Sequence, residues 1–182
     1  ERVEVNIVLI GMPGCGKTTL SLELRKMLGY KAIDSDRYIK KTSGMTVDEL
    51  FEIGEDFFRI EETKALVDIM NKYDRTVVAT GGGVVERACN KEVLKKNGFV
   101  IFINRDLNEI RKVLTSKNRP LLRNNKDKVL NLLYERRIDK YRDFCDMEVR
   151  VNNGLFLTAS FIKDELRSCL LYTSPSPRDA TL

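Results

Sequence analysis

The sequence predicts a parallel α/β sandwich formed as one domain, and three observations carry that prediction. Short apolar runs alternate with amphipathic stretches along the chain, the pattern of strands joined by crossover helices. The first run, Val5–Ile10, is nearly unbroken in apolar residues, as a strand covered on both faces requires. The chain has 182 residues, of which 42% are hydrophobic, enough for one ordinary domain with a real core.

Each element has a local reason. After Val5–Ile10 comes a glycine-rich loop, then Leu20, Leu24, Met27 and Leu28 at helical spacing, with Gly29 as the stop. Lys31–Asp34 reads as a second strand. Thr46 and Glu49 form a capping box that opens a helix through Ile53, and helical spacing resumes from Phe58 to Met70. Thr76–Ala79 is a third strand running into Gly81, Gly82 and Gly83, and Phe99–Ile103 is a fourth. Asp106 and Glu109 open a helix to about Ser116, and Asp127 to Tyr141 is helical. Met147–Val151 is the fifth strand and Thr158–Leu171 a last amphipathic helix. The stretch 172–182, with Ser174, Pro175, Ser176 and Pro177, breaks all periodicity. It is expected to be a disordered tail, native or non-native in origin, outside a domain of residues 1–171.

Composition excludes several kinds of chemistry. The chain has no histidine, which removes Ser–His–Asp and Cys–His catalysis and any histidine metal site. Its four cysteines, Cys15, Cys89, Cys145 and Cys169, include no C-x-x-C pair, and scattered thiols point to a reducing cytoplasm. No apolar run is long enough for a bilayer-spanning helix, and no membrane partner is expected. The net charge is +5 and the pI about 9.0, but the basic residues are interleaved with acids, so a solvated surface is favoured over a nucleic-acid stripe.

Gly11-Met-Pro-Gly-Cys-Gly16-Lys17-Thr18 satisfies G-x-x-x-x-G-K-[ST] between a buried strand and an amphipathic helix, the context a phosphate-binding loop requires. Glycines let backbone N–H groups converge on an anion, and the helix N-terminus adds its dipole. Gly14, Cys15, Gly16, Lys17, Thr18 and Thr19 are the candidate nucleotide-binding residues, with Lys17 reaching the β- and γ-phosphates and Thr18 binding Mg²⁺. The loop implies ATP with magnesium but does not choose the phosphate acceptor.

Other residues narrow the acceptor. Asp34 and Asp36 fall at the C-terminal end of the second strand, two apart and therefore on one face, where α/β sheets bind ligands. They suit a magnesium water and a substrate hydroxyl; the competing role is helix capping, weighed for Asp36. Arg59 and Glu62 lie three apart on a helix, either a surface ion pair or an Arg aimed at a substrate carboxylate. Gly81, Gly82 and Gly83 allow close approach of a ligand to backbone. Arg119 stands in a polar stretch, Ser116 to Lys128, that reads as a mobile lid, and Arg137 precedes Tyr141 by one helical turn.

Taken together, the phosphate loop, the Asp34/Asp36 pair, Phe58-Arg59-x-x-Glu62, Gly81-Gly82-Gly83, Arg119-Pro120-Leu121-Leu122 and Arg137-x-x-x-Tyr141 resemble the shikimate kinase family in order and spacing, from about Val5 to Val151. The resemblance implies a five-stranded parallel sheet in the order 2-3-1-4-5 and ATP-dependent phosphorylation of the 3-hydroxyl of shikimate, on the route to chorismate and aromatic amino acids. By position it makes Asp36 the holder of the ring hydroxyls, and Arg59 and Arg137 the holders of the carboxylate. Gly81, Gly82 and Gly83 line the same pocket, Arg119 is the lid arginine and Arg111 an adenine neighbour. The catalytic residues are then Lys17, Asp36 and Arg119. No Asp closes the third strand, so Asp34 takes over Mg²⁺ through water, beside Thr18. The absence of a leading Met leaves open a fusion with another enzyme of the pathway. Two other readings stay open from the residues alone: a different small-molecule or nucleotide kinase of this fold, and a non-catalytic nucleotide-dependent binding module.

Overall fold

A computed structural model describes residues 5–116 and 126–170. A parallel sheet of five strands runs in the order β2-β3-β1-β4-β5. The strands are β1 Asn6–Ile10, β2 Lys31–Asp34, β3 Thr76–Ala79, β4 Gly98–Asn104 and β5 Met147–Arg150. Every residue of β1 is buried, because β3 flanks it on one side (Val8 opposite Val78) and β4 on the other (Val8 opposite Val100). Its central place also lets helices cover both of its faces, which accounts for the nearly unbroken apolar run.

The helices are α1 Lys17–Leu28, α2 Ser35–Ser43, α3 Val47–Ile53, α4 Glu55–Lys72, α5 Cys89–Lys95, α6 Leu107–Ser116, α7 Lys126–Phe144 and α8 Leu155–Leu170. A 3-10 turn, Val84–Glu86, follows the glycine run. The main core surrounds the sheet. A smaller apolar cluster of Ile39, Leu50, Phe58 and Ala65 holds α2, α3 and α4 together beside the β2 edge. Tyr141 of α7 is fully buried and stacks on Phe102 of β4 with ring centroids 4.9 Å apart, which fixes α7 over the C-terminal half of the sheet.

The expected strands agree with the observed ones to within a residue or two. Thr46 caps α3 by accepting from the Glu49 N–H at 3.1 Å, and the Asp106 side chain accepts from the Asn108 N–H at 2.8 Å at the start of α6. Three features differ. The short helices α2 and α5 were not expected, since each has few apolar positions to mark a period. Helix α4 begins at Glu55 and α8 at Leu155, each about a turn before the expected starts at Phe58 and Thr158. The third difference concerns the aspartates. Strand β2 ends at Asp34, whose Oδ1 accepts from the Asp36 N–H at 3.0 Å and the Arg37 N–H at 3.3 Å, so α2 starts at once. Asp34, and not Asp36, is the capping residue, and Asp36 stands in the first helical turn and not on a strand face. The expected tail at 172–182 and the lid arginine Arg119 lie outside the described residues.

Candidate active site

Beyond the C-terminal ends of the central strands, a cleft of about 750 Å³ collects residues from the loop after β1, the end of β2, α2, α4, the glycine run and α7. Its first wall is the phosphate loop. Gly16 caps α1 in the left-handed region at φ 104°, a conformation that costs L residues with a Cβ, and a Cβ there would also meet Leu155 Cδ2 at 2.6 Å. The loop can therefore turn sharply and point its amides and the α1 N-terminus at one spot. The first turn of α1 has no acidic residue to compete for the helix dipole. Lys17, the first residue of α1, is buried, and its Nζ donates to the carbonyls of Gly11 at 2.7 Å and Met12 at 3.0 Å. Cys15 is a fully buried free thiol whose Sγ lies 3.6 Å from Lys17 Nζ. Thr18 and Thr19 line the cleft from the solvent side.

Next to this wall, the Thr18 hydroxyl donates to Asp34 Oδ2 at 3.3 Å, while Asp34 Oδ1 holds the start of α2. Among the described residues no larger group of acidic, His or Cys side chains gathers for a metal. A pair of protein oxygens suits Mg²⁺, which keeps several of its waters and takes the rest of its ligands from phosphates.

The opposite wall is built from α4, α2 and the glycine run. Arg59 is buried, and its Nη1 donates to Glu62 Oε1 at 3.1 Å, so the spacing of three marks a buried pair and not a surface one. Phe51 and Phe58, stacked at 4.3 Å, lie under the guanidinium at 5.6 and 5.1 Å. Burial pushes the Glu62 carboxyl up to about 7, against the pull of Arg59. Asp36 is raised above the usual carboxylate range, first by burial and then by Asp34, with Lys17 and Arg59 pulling it back. Asp36 Oδ1, Glu62 Oε2 and Arg59 Nε are buried without a hydrogen-bond partner among the described residues. Polar atoms in that condition are costly unless a ligand serves them.

The three glycines separate the two walls, and each has its own neighbour. A Cβ on Gly81 would sit 3.1 Å from Asp36 Oδ1 and 3.3 Å from Glu62 Oε2. One on Gly82 would meet the Pro13 ring of the phosphate loop at 2.6 Å, and one on Gly83 would overlap the Arg59 guanidinium. Arg137 of α7 enters the cleft from the far side, buried, with its Nε donating to Glu86 Oε1 at 3.3 Å. One turn on, the Tyr141 hydroxyl donates to the Gly82 carbonyl at 2.5 Å.

The cleft thus brings together Gly14, Gly16, Lys17, Thr18, Thr19, Asp34, Asp36, Arg59, Gly81, Gly82, Gly83 and Arg137 from the sequence-predicted set. Arg111 lies on α6, where its Nη1 and Nη2 donate to Asn108 and Asn131. The cleft edge near Gly14 is lined by Arg105, Val113, Leu114 and Leu155. Arg105 and Glu86 were missed by sequence reasoning. Arg105 immediately follows β4 and donates to the Gly14 carbonyl at 3.4 Å, and its place at a strand's C-terminal end is the signal that marks it in the sequence. Nothing in the sequence around Glu86 distinguishes it from a surface acid.

A phosphate loop opening α1, a magnesium-type oxygen pair, and a facing pocket of buried arginines and carboxylates define a P-loop small-molecule kinase. Comparison narrows the class. The family model described as shikimate kinase matches residues 13–161, and the chain belongs to that family. It is 43% identical to the shikimate kinase of Clostridium botulinum (strain Alaska E43 / Type E3) over 91% of this chain and 96% of that protein. Among solved structures it is similar to shikimate kinase from Acinetobacter baumannii in complex with shikimate. That match has a TM-score of 0.83 and 32% identity and covers 96% of this chain and 97% of the other. Shikimate kinase from Bacteroides thetaiotaomicron matches with a TM-score of 0.80 and 27% identity, over 90% and 98%.

Proposed function

We propose that this chain transfers the γ-phosphoryl group of ATP to the 3-hydroxyl of shikimate, giving shikimate 3-phosphate and ADP, and that residues 1–171 make up this kinase domain. The observation that carries the reading is the wall opposite Lys17. Two buried arginines from different helices and a buried carboxyl with an unserved oxygen face one cleft. A compact acid bearing a carboxylate and several hydroxyls needs that combination.

In this reading the loop amides, Lys17 and the α1 N-terminus bind the phosphates. Arg119, assigned from its motif, joins Lys17 on the transferring group, and Arg111 stays the adenine neighbour the resemblance implies. Arg59 and Arg137 hold the substrate carboxylate and orient the ring. Asp36 Oδ1 accepts from the 3-hydroxyl. The oxygen of the 3-hydroxyl attacks the γ-phosphorus, the bond from phosphorus to the β–γ bridging oxygen breaks, and ADP leaves. The hydroxyl proton passes to Asp36, whose raised pKa suits it to take and release a proton, and then to solvent. Thr18 and Asp34 are the residues to hold Mg²⁺, which when bound neutralises the charge developing on the phosphate oxygens.

We assign the chain to the cytoplasm. The support is that all four cysteines are free and that, among the described residues, no helix is long and apolar enough to cross a membrane. The reading takes shikimate as the partner, with neither nucleic acid nor membrane.

The test is ADP release coupled to NADH oxidation, with and without shikimate. Turnover should require shikimate, ATP and Mg²⁺ together, and equal release without shikimate removes the assignment. Arg59→Ala and Arg137→Ala should each weaken shikimate use by roughly one to two orders of magnitude, the scale of one charge-assisted hydrogen bond. ATP use should hardly change. Lys in place of Arg137 should rescue poorly, because an ammonium cannot reproduce a planar fork.

A further inference from the structure

Glu86 ends the 3-10 turn that follows the glycine run, and its side chain is only 6% exposed. It is surrounded by cations of α7. Arg136 Nη2 lies 2.5 Å from Oε2, and Arg137 Nε and Lys140 Nζ lie 3.3 and 3.6 Å from Oε1. The three cations are not equivalent. Arg136 is exposed and Lys140 half-buried, so water serves their charges, whereas the Arg137 side chain is only 10% exposed and lines the cleft. A buried carboxylate is tolerated only when its partners hold it, and of the three cations around Glu86 the buried one, Arg137, is the one that lines the cleft.

We propose that Glu86 is a positioning residue for shikimate binding. It clamps Arg137 by the Nε edge, which fixes the roll of the guanidinium plane and turns its terminal nitrogens to the substrate carboxylate. A single Glu–Arg pair would be neutral and would give up much of the attraction for an anion. Arg136 and Lys140 share the same carboxylate, so the group of one acid and three bases keeps a net positive charge toward the cleft while Arg137 stays locked. The adjoining Tyr141–Gly82 hydrogen bond fixes the other side of this junction, so α7 and the glycine run move as one piece.

The inference rests on the reading of Arg137 as a carboxylate holder, and a double-mutant cycle separates the two claims. Shikimate and ATP KM would be measured for the unaltered enzyme, Glu86→Gln, Arg137→Ala and the double variant. Glu86→Gln should raise shikimate KM about tenfold, the scale of one misaligned charge-assisted hydrogen bond, with ATP KM within about twofold. In the Arg137→Ala background the same change should add less than about twofold, because the group it positions is gone. If Arg137→Ala leaves shikimate KM unchanged, the site reading fails and this inference with it. If Arg137→Ala raises it but Glu86→Gln does not, or if Glu86→Gln acts equally with and without Arg137, Glu86 has no positioning role and the site reading stands. Should Glu86→Gln fail to fold, Glu86→Asp keeps the charge but retracts it from Nε. That variant should raise shikimate KM in the same way, and an unchanged value overturns the proposal.

Discussion

Gly82 and Gly83 are adjacent, yet the structure predicts that alanine at each will damage the binding of a different substrate. At Gly83 a Cβ would overlap Arg59 Nη2 and lie 2.6 Å from both Nη1 and Cζ. Ordinary carbon contacts sit near 3.5–4.0 Å, so the guanidinium has to retreat by about 1 Å. It is packed over Phe51 and Phe58 and tied to Glu62, so it cannot yield without losing its aim. With Arg59 holding the substrate carboxylate as proposed, misplacement on that scale costs roughly ten- to a hundredfold in shikimate use. The backbone itself is not strained, since Gly83 has φ −95°. Overpacking should cost about 1–3 kcal/mol, a fall in Tm of roughly 3–9 °C for a domain of this size. At Gly82 the obstacle is the Pro13 ring, with Cδ at 2.6 Å and Cγ at 2.7 Å, and a proline ring cannot rotate away. Relief there moves the phosphate loop. Steady-state kinetics with each substrate varied in turn gives the answer. Gly83→Ala should raise shikimate KM with ATP KM nearly unchanged, and Gly82→Ala should chiefly raise ATP KM. If both variants raise the same constant, or if Gly83→Ala leaves shikimate KM within twofold, the division of labour along this run is wrong.

Lys17→Met should leave a folded protein, by circular dichroism, with turnover lowered by at least ~10²-fold, the loss expected for one transition-state charge contact. Tyr141→Phe should keep the stacking on Phe102 but leave the Gly82 carbonyl without its donor, at about 1–3 kcal/mol in denaturant titration; no change would mean water replaces the hydroxyl. The Glu62 carboxyl sits near 7 in the folded chain against a usual 4.5, so the folded state binds this proton more tightly than the unfolded state. Its contribution to stability is full below about pH 4.5 and is lost as pH rises through 7, by on the order of 3 kcal/mol. Glu62→Gln should flatten Tm against pH over that window, and an unaltered slope assigns the effect to another group.

Legibility followed how locally each feature is determined. The phosphate loop is set by a contiguous motif and the buried strand before it, and β1 announces itself because both its neighbours cover it. Helix α1, marked by its apolar stripe, and α6, marked by its capping pair, are also plain. The Asp34–Asp36 segment was read one step wrong, because a strand end and a helix cap favour the same residue type and only the Asp34 hydrogen bonds decide between them. Arg59 and Arg137 were identified through the family pattern, since an isolated arginine on a helix carries no mark of burial. Glu86 was invisible for a related reason. Its role comes from cations fifty residues away in sequence that only the packing of α7 on the glycine run brings near it.

The central place of β1 also sets a timetable for synthesis. Its first flank becomes available only when the chain reaches β3, where Ile7 meets Val77, and its second only at β4, where Asn6 meets Gly98. At ribosomal speeds of about 5–20 residues per second, this apolar strand waits on the order of ten seconds before it is covered on both edges. During that interval it is an unpaired sticky edge, prone to pairing with a neighbouring nascent chain on the same message. The feature that later anchors the phosphate loop is thus an aggregation hazard of the nascent chain. Slower translation upstream of β4 should lower the soluble yield more than an equal pause after it.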